Sequence, residues 1–436
     1  MAWALMPLLA ALLFATDDRI VSFEQVREVT PFDGAVAAPQ GPPGQPSSRA
    51  EEIERQRRDK AGRLTPPAPD KAERVFQQLE DDRRVRRFFG NYSGIGIRLG
   101  GLVTGSGFAL GPAYSRPELK KENVRLRLSA VGSLKQYYRL DVLVSVPRLF
   151  LHRVSLDFCG YRSDSPQTAY YGPGPDSHKT GRTNFRREDL AFDFRLGLRP
   201  HRRLFMGMTA GGHITNVGPG TSKVYASTDK VYTPRLTPGI DEQTDYGHVG
   251  PFVQFDFRDR PADPHRGGNY VVRYVYFHDD ELFRYSFRRL EATVEQYIPL
   301  LNEKRVIALR AQTDFSFPNE TTLVPFYMQP TLGGSDDLRG YRSFRYYDNN
   351  RLVMNAEYRW EVIPALEMAV FADAGKVFHR PGEFSLARLK GSGGFGVRFK
   401  SRDSILFRLD TGFSREGFQV WFKFSGPFRG LFYNLF

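Results

Sequence analysis

The residues best suited to chemistry in this chain lie in Leu332-Gly-Gly-Ser-Asp-Asp-Leu-Arg-Gly-Tyr-Arg342, a polar stretch between two strand-like runs. Gly333, Gly334 and Gly340 let the backbone turn sharply or lie close against another surface. Arg339, held between Leu338 and Gly340 with Tyr341 behind it, can therefore be carried where an ordinary loop would not reach. The chemistry on offer is recognition. A guanidinium fork taken out of water needs a carboxylate partner, because an unpaired buried charge costs several kcal/mol. A strand-like run, Phe371-Ala-Asp373-Ala-Gly375, follows at a distance. Covalent chemistry finds no support. Gly391-Ser-Gly-Gly-Phe-Gly396 has G-x-G-x-x-G spacing but leads into Val397-Arg-Phe399, with no helix to cradle a phosphate; its glycines instead suggest space on a wall where a loop packs. No zinc-protease, Walker, nucleophile-elbow or paired-carboxylate pattern occurs. The single Cys159 can form no internal disulfide and has no metal-ligand spacing. Neither an enzyme, a cofactor nor a metal is expected.

The elements that must position Arg339 are strands. From Tyr92 onward the apolar period is two: Leu352, Met354, Ala356, Tyr358 and Trp360 share one face, and Asn355, Glu357, Arg359 and Glu361 the other. The same two-faced pattern recurs in Phe192, Phe194 and Leu196 against Asp193 and Arg195, and in Leu290, Ala292 and Val294 against Glu291 and Glu295. Such runs predict strands at 93–101, 104–113, 122–132, 137–147, 152–161, 190–199, 202–211, 246–258, 269–279, 286–297, 304–316, 351–361, 366–374, 392–400, 404–412 and 417–425. That is about sixteen, many near the roughly 9 to 11 residues of a tilted membrane strand. A soluble sandwich also alternates. Here, however, tight and long connections alternate, with long ones at 162–189, 212–245 and 317–350, and aromatic residues such as Tyr137, Tyr138, Tyr276 and Phe277 collect near strand ends. The prediction is an all-β, antiparallel transmembrane barrel with Glu357 facing inward.

Composition agrees once read correctly. The 436 residues are 41% hydrophobic and 14% aromatic, with mean hydropathy −0.44, so no stretch approaches the run of about 20 apolar residues that a spanning helix needs. Alternating barrel strands dilute their apolar signal and escape that test. The net charge of +13 is spread through strands and turns without a nucleic-acid-binding pattern, so it reads as a charged lumen and solvated loops. Residues 1–16 have the apolar length of a signal peptide, and 17–91 read as a Pro-rich, charged linker with a capping box at Asp70-Lys-Ala-Glu73 opening a short helix. The barrel domain is 92–436, and the chain ends in the aromatic stretch Gly430-Leu-Phe-Tyr-Asn-Leu-Phe436.

The Leu-Arg-Gly-Tyr loop followed by a Phe-x-Asp-x-Gly strand resembles the BamA/TamA superfamily of outer-membrane barrels, also called the outer membrane protein 85 family. The resemblance covers residues 92 to 436 and implies that the loop between strands 11 and 12 folds back into the lumen. Arg339 then meets the strand carboxylate at Asp373, with Gly375 beside it, and Glu357 is a second partner on the neighbouring strand. Asp256-Phe-Arg258-Asp259-Arg-Pro261-Ala-Asp-Pro264-His-Arg-Gly267 looks like the family's periplasmic turn between strands 8 and 9, in which Asp259 accepts backbone N–H groups. Tyr170-Tyr-Gly-Pro-Gly-Pro-Asp-Ser177 is similar to a family segment before strand 6. The resemblance implies a Gram-negative outer-membrane protein in contact with the lipid bilayer and no nucleic acid. It would assist insertion or translocation of proteins, with unfolded outer-membrane clients or a separate periplasmic partner. The N-terminal segment departs from the family: without alternating strands it supplies no client-receiving POTRA domain, which leaves a passive or gated pore, or a lipid-handling structural barrel, as the alternative.

Overall fold

Alternation becomes architecture in a computed structural model that describes residues 94–424, apart from 101, 104, 120–123, 150–152, 302–303, 364 and 402–403. The signal-peptide, linker and helix expectations for 1–91 lie outside these residues, as does the aromatic stretch at 430–436. The strands are β1 (Gly94–Leu99), β2 (Ala109–Leu119), β3 (Val124–Ser133), β4 (Tyr138–Leu149), β5 (Val154–Tyr170), β6 (Thr183–His201), β7 (Leu204–Pro219), β8 (Tyr246–Asp256) and β9 (Gly267–Asp279). They continue as β10 (Phe287–Leu300), β11 (Arg305–Pro318), β12 (Thr331–Leu332), β13 (Tyr346–Tyr347), β14 (Asn350–Ile363), β15 (Leu366–Phe378), β16 (Lys390–Ser401), β17 (Ser404–Ser414) and β18 (Gly417–Lys423). All but β12 and β13 form one 16-stranded antiparallel sheet in chain order, with β11 beside β14. The short β12 and β13 pair only with each other, inside the loop between β11 and β14.

Sixteen strands agree with the alternation, but several bounds move. β5, β6 and β7 run well past their predicted ends, pairing as far as Tyr170 with Thr183 and Phe185 with Pro219. These extensions carry polar residues on both faces, so the ladder continues where the apolar signal has stopped. β2 lies later than the predicted 104–113, because Gly105 and Gly107, both at positive φ, are spent on the turn after β1.

Burial separates a membrane barrel from a soluble sandwich. The apolar face of β6 is the exposed one, with Phe194 49% and Leu196 55% accessible, whereas Asp193, Glu295 and Glu357 on the opposite faces of their strands are almost wholly enclosed. A water-soluble sheet would bury the phenylalanines and solvate the carboxylates. The sheet is a transmembrane β-barrel with an apolar outer surface and a charged interior.

At the end carrying the long loops, Phe326, Tyr327 and Met328 drop from the β11–β14 connection onto Tyr170, Phe185, Tyr246, Phe277, Tyr285 and Phe287. Edge-on ring pairs, such as Phe185 with Phe326 at 4.8 Å between centroids, bind the connections to the extended strands. The opposite end has tight turns, except the ten residues between β8 and β9. Phe194 lies in the lipid-facing band, so Phe194→Arg is expected to lower the folding free energy in phospholipid vesicles by about 2–4 kcal/mol. Val224→Arg, in an exposed connection, should change it by less than about 0.5 kcal/mol. Urea titration of both variants checks this, and equal costs would remove the lipid-facing assignment.

Candidate functional site

Arg339 is 2% exposed and reaches the inner wall on β14 and β15. Its Nε and Nη2 donate to Asp373 Oδ2 and Oδ1 at 3.0 and 2.6 Å, its backbone N–H donates to Oδ2 at 3.1 Å, and its Nη1 donates to Glu357 Oε1. The guanidinium lies over the Phe371 ring, 3.4 Å from its centroid. Strand geometry explains the Phe-x-Asp-x-Gly spacing. Phe371, Asp373 and Gly375 are two residues apart and face the same way, giving the loop a ring to lie on, a carboxylate to bind and an open space. At Gly375 a Cβ would come within 3.1 Å of Leu332, which packs there with Leu338, Tyr341, Tyr346, Val353 and Val377.

Register assembles the rest. Glu357 pairs with Phe371, Phe371 with Gly394, and Gly394 with Gly412, so one row across β14 to β17 holds two side chains that grip the guanidinium and then two glycines. The Phe371 ring lies against Gly394, and the loop backbone lies in the space that Gly412 leaves. A Cβ at Gly412 would sit 2.4 Å from the Arg339 carbonyl, and one at Gly340 would sit 2.5 Å from the Phe413 carbonyl oxygen. Gly333 and Gly334 have φ of +110 and +123, which lets the loop double back after β12.

Residues that the sequence did not single out complete the network. Glu357 Oε2 accepts from Arg359 Nε and Arg398 Nη2, both at 2.8 Å, and Asp410 Oδ2 lies 3.9 Å from Arg339 Nη1 and 3.1 Å from Arg408 Nη1. Asn355 donates to Asp373 Oδ1 at 2.8 Å and to the Asp337 carbonyl at 2.7 Å. Burial works against the Arg339 charge, but Glu357 and Asp373 outweigh it and hold its pKa above the usual arginine value. The loop also grips the last strand from within: Trp421 Nε1 donates to the Arg339 carbonyl at 2.7 Å, Lys423 pairs with Asp336 at 3.2 Å, and Arg345 binds Glu416 at the β17–β18 tip. Arg345 also donates to Ser177, and Gly174 N–H to the Tyr347 carbonyl, so the Tyr170–Ser177 segment packs on this loop. Inward parity was a usable signal for Arg398, Asp410 and Trp421; their meeting at one arginine depends on register, which no local pattern encodes.

The second motif forms a separate structure. Arg258 holds Asp256 with two hydrogen bonds, Nε to Oδ1 at 3.0 Å and Nη2 to Oδ2 at 2.8 Å, and lies 3.5 Å from Glu295. Asp259 Oδ1 accepts the backbone N–H groups of His265 and Arg266 at 3.0 and 3.1 Å. Gly267 has φ +93, and a Cβ there would meet the Phe257 carbonyl oxygen at 2.2 Å. Pro261 and Pro264 lie in the same turn, the latter buried.

A sixteen-stranded barrel with an outward apolar face and a connection pinned inside by a buried arginine defines an outer-membrane protein that keeps a loop in its lumen. The Omp85 superfamily domain matches residues 119–424, and the chain belongs to that superfamily. The solved structure of BamA from Haemophilus ducreyi lacking POTRA domains 1–3 shares the fold at 14% identity and a TM-score of 0.55, over 76% of this chain and 70% of that one. CdiB from Escherichia coli shares it at 12% identity and a TM-score of 0.51, over 76% of this chain and 61% of that one. No curated protein sequence matches the chain. Among the described residues there is no POTRA domain.

Removing the arginine leaves Asp373 buried without its cation, while Glu357 keeps Arg359 and Arg398, so Arg339→Ala is expected to lower barrel stability by about 3–5 kcal/mol while the chain still enters membranes. Urea titration and the heat-induced gel-mobility shift check this; equal stability of variant and parent would remove the bracing role. Gly412→Val removes no charge and blocks only the loop's resting place. It is expected to expose Arg342 and Arg345 to trypsin, with cleavage faster by on the order of tenfold.

Proposed function

We propose that this barrel assists the insertion or translocation of proteins at the outer membrane, acting through the seam between β1 and β18. The observation that carries the reading is how the sheet ends. Among the described residues the ladder runs from β1 to β18 with no pairing between these two strands, which are only 6 and 7 residues long. They approach where a methyl group at Gly100 would lie 3.6 Å from the Phe424 ring, and where the Phe108 and Phe424 rings are 6.3 Å apart. Unpaired strand edges are templates for an incoming strand. Because β18 is held from inside by Trp421, Lys423 and Glu416, the seam can part without loss of the last strand's position.

The interior weighs against a permanently open pore. The loop carrying Arg339 enters the lumen, and the aromatic cluster around Phe326 packs against the wall at the long-loop end. One feature favours the pore reading: a lumen cavity of about 480 Å³ lined by Arg98, Arg139, Arg310, Arg351 and Lys423 beside Asp336 and Asp337. Most of those cations are already paired, Arg98 and Arg139 with Asp141 and Arg351 with Asp314 and Asp337, so the lining presents little free charge to a passing ion.

The test is the folding rate of a denatured model barrel protein in liposomes, with and without this purified chain, at matched lipid and salt. Acceleration is expected. An unchanged rate, with the chain verified as folded and conducting ions steadily, would overturn the proposal in favour of a pore.

A further inference from the structure

The turn between β8 and β9 does more than reverse the chain. Its inner residues Asp263 and His265, 1% and 7% exposed, leave the rim and meet Lys400 and Glu367 on the inner wall of β16 and β15. Lys400 Nζ lies 2.5 Å from Asp263 Oδ2, 3.4 Å from His265 Nε2 and 3.5 Å from Glu367 Oε2, and His265 Nε2 lies 3.4 Å from Asp263 Oδ2. Three strands, β10, β11 and β14, stand between β9 and β15 in the sheet. The contact is therefore a span over the mouth of the barrel, not a link between neighbours.

Asp263, His265 and Glu367 have the ligand types of a divalent-metal site and lie within 4.8 Å of one another. The Lys400 ammonium already stands among them and supplies the positive charge that such an ion would bring. The cluster is an ion-paired contact centred on the ammonium, with Asp263 Oδ1 and Glu367 Oε1 accepting no hydrogen bond among the described residues. Burial alone would raise the Asp263 carboxyl, but the hydrogen bond from His265 and the nearby ammonium outweigh it and hold it well below the usual carboxylate range. The turn is rigid enough to carry the contact, since Asp259 accepts two of its backbone N–H groups and Arg258 clamps Asp256.

We propose that the β8–β9 turn is a latch that closes the short-turn mouth of the lumen, fastened by Asp263 and His265 to Lys400 and Glu367. At the opposite end the aromatic cluster packs the β11–β14 connection onto Tyr170, Phe185, Tyr246 and Phe277, so both ends of the lumen carry a segment fastened inward. Release lets the turn swing back to the rim and opens a water path to the cavity beside the inward loop. The proposal stands independently of whether the seam receives client strands.

The full chain reconstituted in planar bilayers tests it, together with trypsin cleavage after the exposed Arg266, which Gly267 follows. Lys400→Met is expected to raise both the time-averaged conductance and the cleavage rate by on the order of tenfold. The exchanged pair Asp263→Lys with Lys400→Asp should return both toward the parent values. If Lys400→Met does not give a heat-modifiable barrel, Asp263→Asn makes the same measurement at the turn. Parent-like conductance and cleavage in a folded variant would overturn the latch, as would an exchanged pair no different from the single variant.

Discussion

One guanidinium constrains this barrel more than any other group. Arg339 is enclosed with two carboxylates and a ring: the arginine without Asp373 and Glu357 is an uncompensated buried charge, and Asp373 without the arginine is a buried carboxylate with no cation of its own. The consequence runs outward through the wall. β14 and β15 must hold a register that sets Asn355 opposite Asp373 and Glu357 opposite Phe371, since a one-residue slip would turn the carboxylates to lipid. β16 and β17 must place Gly394 and Gly412 in the same row, since a side chain at Gly412 would occupy the space of the loop backbone and one at Gly394 the space of the Phe371 ring. The loop in turn must have glycines where φ is positive.

The same pairing explains why the loop is not an ordinary outer connection. A 31-residue segment, 319–349, free in solution would be costly to order, and the contacts that offset this entropy lie at two levels. Near the mouth, Phe326 to Met328 enter an aromatic cluster. Deeper in the lumen, Leu332, Leu338, Tyr341 and Tyr346 form a small apolar core with Val353 and Val377 of the wall. That core excludes water from the neighbouring ion pairs, which strengthens them. Within that deeper core the chain must reverse between Leu332 and Leu338, and Gly333 and Gly334 stand at that reversal.

Much of this was legible in sequence because it is written in local spacing. Period-two alternation yields sixteen strands, and Phe371, Asp373 and Gly375 announce a shared face. What the sequence hides is what depends on distance along the chain. Asp410, Arg408 and Trp421 are separated from Arg339 by roughly seventy or more positions and become its neighbours only through the registers of β15 to β18. The ends of β5, β6 and β7 were hidden for a different reason. Beyond the apolar band both faces of a strand meet polar surroundings, so Arg186, Glu188 and Asn216 carry no alternation although the ladder between them is intact.

Strength within the wall and weakness at its seam then have one origin. Inner-wall charges are shared across β14, β15 and β16 by Glu357, Glu367 and Arg398, so parting these strands would strand a buried ion. Among the described residues no such pair crosses between β1 and β18. Arg98 of β1 turns instead to Ser129 and Asp141 on β3 and β4, and Trp421 and Lys423 of β18 turn to the loop. Each edge strand is thus satisfied by its own side of the barrel, and opening between them exposes backbone groups without uncovering a buried charge. Backbone groups can be re-paired by any strand that arrives, whereas a buried charge can be re-paired only by its own partner. That difference in what must be replaced is why the proposed function is placed at the seam and not elsewhere in the wall.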